Sequence, residues 1–263
     1  MLWTPIALVL FRWRAIPWRY PLSPDHKLIL LIPLYLLAPL ALETYRRYWT
    51  GLPWATYGIN GRGQFFLALA LGFAIALSGI GVFLATQLGL GWRQWQGYRP
   101  KGRTLLSLLV GLLPLTLLIA GVEETLFRGL LPITLQSLLP WPALVITVGL
   151  IFACSHLLWD GPQGLPQLPG LTLMGIVLMV ARWVTAGQLG LAWGLHAGWI
   201  LGLALTDSLA LTKAVDGSPL WLAGKPDQPL TGLAGLGLLL LTGLGLWLYG
   251  QTVGTMGGSG WPG

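Results

Sequence analysis

Long apolar runs separated by short polar loops are the dominant pattern of this chain. A helix needs about 20 consecutive apolar residues to cross a bilayer. By this measure the chain has seven candidate spans, at 28–42, 64–90, 104–122, 141–158, 168–186, 189–206 and 230–250. Because the hydrocarbon offers no water to backbone groups, runs of this length are helices rather than strands. The pattern predicts an all-α fold, a polytopic integral membrane bundle of about seven transmembrane helices.

Two segments can change this count by about one. Residues 1–11 are apolar, but the run is short and its positive charges follow it instead of preceding it, which argues against a cleaved signal peptide. The run 28–42 is short and twice interrupted by proline. A tilted, kinked or re-entrant course therefore stays open for it.

Composition agrees with a membrane protein. The 263 residues are 55% hydrophobic and 9% charged, with a mean hydropathy of +0.72, whereas soluble domains carry about 25% charged residues. The net charge of +7 comes from basic residues scattered between apolar runs, which argues against a nucleic-acid partner. These residues are typical of loops beside anionic lipid headgroups, so the expected surroundings are a lipid bilayer.

Loop charges predict the orientation. Most basic residues lie in loops 1–27, 91–103 and 207–229, and the opposite loops hold mainly Arg46, Arg47 and Arg62. Because basic loops stay on the cytoplasmic side, we expect a cytoplasmic N-terminus, in the cytoplasmic (inner) membrane or an internal membrane. A re-entrant 28–42 would reverse this, since every later loop would change sides.

Two adjacent carboxylates lie at the end of the third run, in "AGVEETLFRG", residues 120–129. An ionised side chain in the middle of a membrane helix costs about 2.5 to 3.5 kcal/mol on insertion scales, so it must be paired, hydrated or neutralised. Glu124 and Arg128 are four residues apart and can form an ion pair. Glu123 points about 100° around the helix. It needs a hydrogen-bond partner from another helix, water, or neutralisation.

Two histidines lie in other apolar runs, His156 in "GLIFACSHLLW" and His196 in "LAWGLHAGWILG". Each alone is typical of a hydrogen-bonded packing residue. Together with Glu123, they place one proton-handling group on each of three helices, and a bundle can bring such groups to a common cavity. The alternative is that all these polar residues only hold helices together.

Three motifs resemble those of one family. "EETLFR", "FACSH" (152–156) and "GLHAGW" are similar, in order and spacing, to the Glu-Glu-x-x-x-Arg, Phe-x-x-x-His and third-motif histidine sequences of the CPBP family. These are the CAAX-type and bacteriocin-processing intramembrane endopeptidases, also called the Abi family. The resemblance covers about 104–206 and implies a four-helix catalytic core there. It leaves 1–103 as N-terminal membrane segments with basic loops, and 207–263 as a loop with a C-terminal transmembrane helix.

The resemblance also implies a mechanism. The enzyme would hydrolyse a peptide bond of a membrane protein or peptide, with no cofactor and no metal. Glu123 and His156 would activate the attacking water, and His196 would donate to the oxyanion. Supporting roles fall to Glu124 and Arg128, which would orient the site, and to Phe152 of the second motif.

One position departs from the family pattern. The family commonly has Asn or Asp four residues after the third-motif histidine, and this chain has Ile200. Losing one oxyanion donor typically costs about 10²- to 10³-fold in rate. A slow protease, a protease that uses the Trp199 indole N–H instead, and a catalytically inactive scaffold all stay open.

Other classes fit the same residues. Glu123, His156 and His196 could be three metal ligands with an open fourth position, as in catalytic zinc sites, although no HExxH pattern supports this. The two histidines could be axial ligands of a haem. A non-enzymatic sequestration partner and a transporter are further alternatives, and the sequence leaves the oligomeric state open.

Overall fold

A computed structural model describes residues 9, 12, 23–98 and 100–252. Within these residues the chain forms seven long helices, which are α1 (Pro24–Tyr45), α2 (Gly63–Gly89), α3 (Gly102–Glu124), α5 (Trp141–Asp160), α6 (Leu168–Val184), α7 (Gly190–Ser208) and α9 (Leu233–Thr252). The short helices α4 (Leu131–Leu135) and α8 (Leu220–Ala223) lie between them. Each predicted run corresponds to one long helix, so the all-α bundle is confirmed. The ambiguous run 1–11 lies outside the described residues, apart from Val9.

Five helical stretches of the described residues are long and apolar enough to cross a membrane: Ile29–Thr50, Gly63–Gly89, Gly102–Leu135, Trp141–Val184 and Leu233–Thr252. The fourth contains both α5 and α6, which are joined by a 3-10 segment at Gly161–Gln167. The chain is therefore a multi-pass integral membrane protein. Helix α7 is not among these stretches and is enclosed by protein, because it packs against α2, α3 and α6.

Helix α1 settles the ambiguous run 28–42. It continues through Pro33 and Pro39 without a break, and a π-helical turn extends it over Arg46–Thr50. Ser23 caps the start of the helix, because its hydroxyl accepts a hydrogen bond from the backbone N–H of His26. Its 22 residues are longer than the apolar run because polar residues at both ends join the helix.

Glycines determine the closest helix contact. Gly190, Gly194, Gly198 and Gly202 recur every four residues along α7 and face α2. A Cβ atom on Gly194 would lie 2.0 Å from the carbonyl oxygen of Leu69, so only hydrogen fits there. This small-residue stripe lets two membrane helices touch backbone to backbone.

A two-stranded ladder joins two loops. The strands β1 (Arg93–Trp95) and β2 (Thr212–Ala214) pair in antiparallel fashion, with Gln94 opposite Lys213. The sequence predicted no strand, because three residues are too short to show an alternating pattern. The ladder places loops 91–103 and 207–229 at the same end of the bundle, in agreement with their assignment to one side.

Candidate active site

The glutamate motif lies where the third helix changes its winding. Helix α3 ends at Glu124, and residues Thr125–Leu130 form a π-helical segment before α4 begins. π-Helical segments are rare in proteins as a whole, and many of those that occur lie at functional sites. Four residues of the segment, Thr125, Phe127, Arg128 and Gly129, are buried. The wider turn therefore lies inside the bundle.

Glu124 and Arg128 form the ion pair that their spacing predicts. Arg128 Nη1 lies 3.0 Å from Glu124 Oε1, and both side chains are fully buried. The same oxygen accepts a hydrogen bond from His196 Nδ1 at 2.7 Å. Because an ionised carboxylate can only accept, Nδ1 carries a proton and Nε2 is the nitrogen left for the cavity. Glu124 thus fixes both the orientation and the tautomer of His196.

Arg128 is held from several sides. Its guanidinium lies over the Phe152 ring, 4.2 Å from the centroid, which is a cation–π contact. Its Nη2 donates to the carbonyl oxygen of Gly175 at 3.4 Å. That carbonyl can approach because α5 and α6 cross at Gly149 and Gly175, where an added Cβ on Gly175 would be 2.7 Å from the Gly149 Cα.

Phe152 is the shared wall of the site. Its ring meets His156 edge to face with centroids 4.8 Å apart, and His196 in the same way at 5.8 Å. The side chain has no exposed surface. The second motif therefore supplies a rigid apolar plate between the arginine and the two imidazoles.

Glu123 faces a different direction from Glu124 and has partners on two other helices. Its Oε2 lies 3.6 Å from His196 Nε2. Its Oε1 accepts a hydrogen bond from the phenol of Tyr35 on α1. A partner from another helix was one of the options that the sequence left open for Glu123, but nothing in the sequence singled out Tyr35, which lies 88 positions earlier.

His156 is oriented by its own helix. Its Nδ1 lies 2.9 Å from the carbonyl oxygen of Phe152, one turn earlier. A carbonyl only accepts, so Nδ1 is the protonated nitrogen and Nε2 bears the lone pair when the ring is neutral. His156 therefore has the tautomer that a proton acceptor needs.

One cavity of about 610 Å³ collects these groups. Glu123, His156 and His196 all line it, so the structure brings the three predicted catalytic residues to a common space. Most of the wall is apolar and is built from α1, α2, α3, α5, α6, α7 and α9. Polar residues in the lining include Lys27, Asp160 and Asp227, and Lys27 Nζ and Asp160 Oδ1 form an ion pair of 2.5 Å.

The departure from the family pattern is part of this lining. Ile200 and Trp199 both border the cavity beside His196. Trp199 is 5% exposed, and its Nε1 has no hydrogen-bond partner within the described residues. A buried N–H without a partner is costly, and Arg128 Nε is a second buried donor without a partner among the described residues.

Arg182 is a buried charge that sequence reasoning missed. The side chain is 2% exposed, and its Nε donates to the carbonyl oxygen of Gly187 at 2.8 Å. Two longer contacts of 3.5 Å reach the carbonyl oxygens of Gly129 and Thr56. Arg182 therefore ties the end of α6 to the π-helical segment. An arginine inside the apolar run 168–186 was the signal that could have revealed it.

A metal centre would need its ligand side chains gathered around one point. The residues that the structure describes contain no group of three or more His, Cys, Asp or Glu side chains arranged to hold a metal ion. A three-ligand centre of Glu123, His156 and His196 therefore gains no support from their positions.

Comparison with known families agrees with the motifs. Residues 105–201 match the family model described as "Type II CAAX prenyl endopeptidase Rce1-like". The segment resembles a CAAX endopeptidase core. The match confirms the resemblance to the CPBP family and relates residues 105–201 to a peptidase superfamily. Searches of curated proteins and of solved structures found no match. The matched residues begin at α3, so Tyr35 and all of α1 lie before them.

Proposed function

We propose that the protein is an intramembrane endopeptidase that hydrolyses a peptide bond of a membrane-associated protein or peptide. The observation that carries this proposal is the convergence of Glu123, His156 and His196 on one largely apolar cavity. Each histidine has its Nδ1 occupied, by Glu124 or by the Phe152 carbonyl. The two Nε2 atoms are therefore the ones available for chemistry.

The reaction begins with a water held by Glu123 and His156. As the water oxygen bonds to the peptide carbonyl carbon, its proton passes to this pair, with Glu123 as the general base. The C–N bond of the tetrahedral intermediate then breaks, and the same proton passes to the departing amine. Neither a covalent intermediate with the enzyme nor a bound metal is required for these steps.

His196 and Trp199 are the proposed oxyanion donors. His196 can donate from Nε2 when its ring is protonated, and Glu124 supports that charged form through Nδ1. The Nε2 of His196 faces Glu123 Oε2 at 3.6 Å.

The Trp199 indole takes the place of the amide or carboxyl that the family has at position 200. Its N–H is buried and has no partner within the described residues, and the residue lines the same cavity as His196. A preorganised donor in a dry site stabilises a developing oxyanion strongly. An N–H that stays unpaired in the resting protein destabilises it, and a catalytic role is one explanation for keeping such a group.

The substrate is expected to come from the bilayer. The cavity wall is mainly apolar, so it favours a membrane-embedded or lipid-associated segment over a soluble polar peptide. The surrounding partner is the lipid bilayer, with the N-terminus on the cytoplasmic side of an inner or internal membrane, because loops with most of the positive charge share that side.

A catalytically inactive scaffold of the same fold is the second candidate, and Ile200 is the observation that favours it. An isoleucine at a cavity position where the family has an oxyanion donor removes one stabilising group. Such a protein would bind a membrane segment in the cavity without cutting it.

The deciding experiment compares membranes that carry the wild type with membranes that carry Glu123→Gln. New protein termini that appear with the wild type and not with Glu123→Gln identify substrates, and reconstituted protein must then cleave a peptide from them. Glu43→Gln is the matched control, since it changes a carboxylate of α1 that pairs with Arg46 outside the cavity. Full cleavage by a folded Glu123→Gln variant would eliminate the mechanism.

A further inference from the structure

Tyr35 is a candidate residue of the active site that the sequence motifs do not include. It lies on α1, lines the cavity, and donates the hydrogen bond of its phenol to Glu123 Oε1. The family match begins at residue 105, so neither the motifs nor the match gives this tyrosine a role. Within the described residues, it is the only side chain that hydrogen-bonds to Oε1 of Glu123.

The two oxygens of Glu123 have different environments as a result. Oε1 accepts from the phenol, and Oε2 faces His196 Nε2 at 3.6 Å. The cavity that Glu123 lines also contains His156, Lys27, Asp160 and Asp227, and the Glu124–Arg128 ion pair begins at the next residue of the chain. A hydrogen bond to the ionised form of a carboxylate stabilises that form against desolvation, and bonds with one charged partner are the stronger kind.

We propose that Tyr35 is a positioning residue of the active site, which keeps Glu123 ionised and turns its second oxygen toward the water-binding space. The inference rests on the proposed function for its kinetic consequence but not for the contact itself. It makes α1 part of the active site rather than a peripheral helix. It also explains why a phenol, and not an apolar ring, lies in a mainly apolar wall, since an unpaired hydroxyl there is costly.

The first test measures the protonation of Glu123 without any substrate. Dicyclohexylcarbodiimide, an apolar reagent, modifies protonated carboxyl groups and not carboxylates, and intact-mass spectrometry counts the adducts. Glu123→Gln identifies the adduct at this residue. Tyr35→Phe is expected to raise the rate of Glu123 labelling at neutral pH about tenfold, which is the size expected for one charge-assisted hydrogen bond.

Tyr45→Phe is the matched control. Tyr45 lies on the same helix, does not line the cavity, and stacks on Trp49, so its loss of a hydroxyl should leave labelling of Glu123 unchanged. If Tyr35→Phe folds poorly, Tyr35→4-aminophenylalanine restores a donor on the same ring and should label as slowly as the wild type. Equal labelling of Glu123 in the wild type and in Tyr35→Phe would overturn the inference.

The second test is kinetic and separates this inference from the proposed function. With a substrate in hand, Tyr35→Phe should lower kcat about tenfold and change KM less than twofold, because the phenol acts through Glu123 and not on the substrate. If the wild type cleaves nothing while the labelling rate still responds to Tyr35→Phe, the tyrosine contact stands and the protease proposal fails. If cleavage depends on Glu123 but kcat is the same in Tyr35→Phe and the wild type, the protease proposal stands and the tyrosine has no positioning role.

Discussion

His196 Nδ1 lies 2.7 Å from Glu124 Oε1, the same oxygen that Arg128 Nη1 approaches to 3.0 Å. One carboxylate oxygen thus joins a buried arginine on its own chain segment to the histidine of a distant helix. The second glutamate of the motif is fully buried in this pair, whereas the first lines the cavity. Adjacent residues on one helix have these different surroundings because they point to different sides.

Removal of the arginine is expected to destabilise the protein. Arg128→Ala leaves Glu124 buried and without its counter-charge, and breaking a desolvated pair in this way typically costs about 3 to 5 kcal/mol. Activity should fall as well, because Glu124 orients His196. Thermal unfolding in detergent gives the measurement. Arg46→Ala is the control, since it breaks a partly exposed pair with Glu43 and should change stability little. Unchanged stability of Arg128→Ala would point instead to an arginine that contacts a substrate carboxylate.

Trp199→Phe should separate stability from activity. The substitution removes an N–H that is buried without a partner within the described residues. This offsets part of the cost of the smaller ring, so the free energy of unfolding should fall less than in Trp193→Phe. Loss of one oxyanion donor should lower kcat about 10²-fold. Trp193→Phe is the matched control on the same helix. Its indole N–H donates to the Leu117 carbonyl at 2.8 Å, so this variant should lose stability instead of catalytic rate. Equal kcat for Trp199→Phe and the wild type would remove the indole from the mechanism.

Ile200→Asn should restore the donor that the family has at this position. Ile200 lines the cavity beside His196, so an amide there can reach the same oxyanion. We expect kcat to rise while KM stays nearly constant, because the new hydrogen bond forms mainly with the charged intermediate. Unpaired amide atoms in the resting site cost about 1 to 3 kcal/mol, which thermal unfolding will report. Ile200→Val controls for altered packing. A destabilised variant with no cleavage of any candidate peptide would favour the inactive scaffold.

Gly194→Ala should weaken the contact between α2 and α7. The new Cβ would be 2.0 Å from the Leu69 carbonyl oxygen, so the two backbones must separate, and overpacking of this kind typically costs about 1 to 3 kcal/mol. Gly81→Ala is the control, because a Cβ on Gly81 meets nothing within 4 Å. Alanine also favours helix over glycine, so the control should be neutral or more stable. Unfolding of both variants in the same detergent gives the comparison.

The positions of the long helices, and the three polar residues that meet in the cavity, could be predicted from the sequence. Apolar run length decides where membrane helices lie, and seven runs became seven helices because the bilayer allows no other backbone solution. The Glu124–Arg128 pair was also predictable, since a four-residue spacing fixes the geometry within one helix. The convergence of Glu123, His156 and His196 followed from the rarity of polar groups in such runs.

Three features could not be predicted from the sequence, because each depends on how distant segments pack together. Tyr35 carries no motif, and only the packing of α1 against α3 brings its phenol to Glu123. The glycine stripe on α7 is hidden in a chain with 37 glycines, because composition does not tell which of them face a neighbour. The ladder of β1 and β2 joins segments more than a hundred residues apart, and three residues in each strand carry no readable period.

The sequence separation of these contacts also orders the site in time during biosynthesis. Tyr35 enters the membrane first, and its carboxylate partner is synthesised 88 residues later. Glu124 arrives together with Arg128, four residues away, so its charge is neutralised within the segment that inserts. His196 is synthesised 72 residues after Glu124. Each carboxylate therefore has one partner that is synthesised before it or within four residues of it, and the His196 contact with Glu124 is the last of the three whose residues are complete.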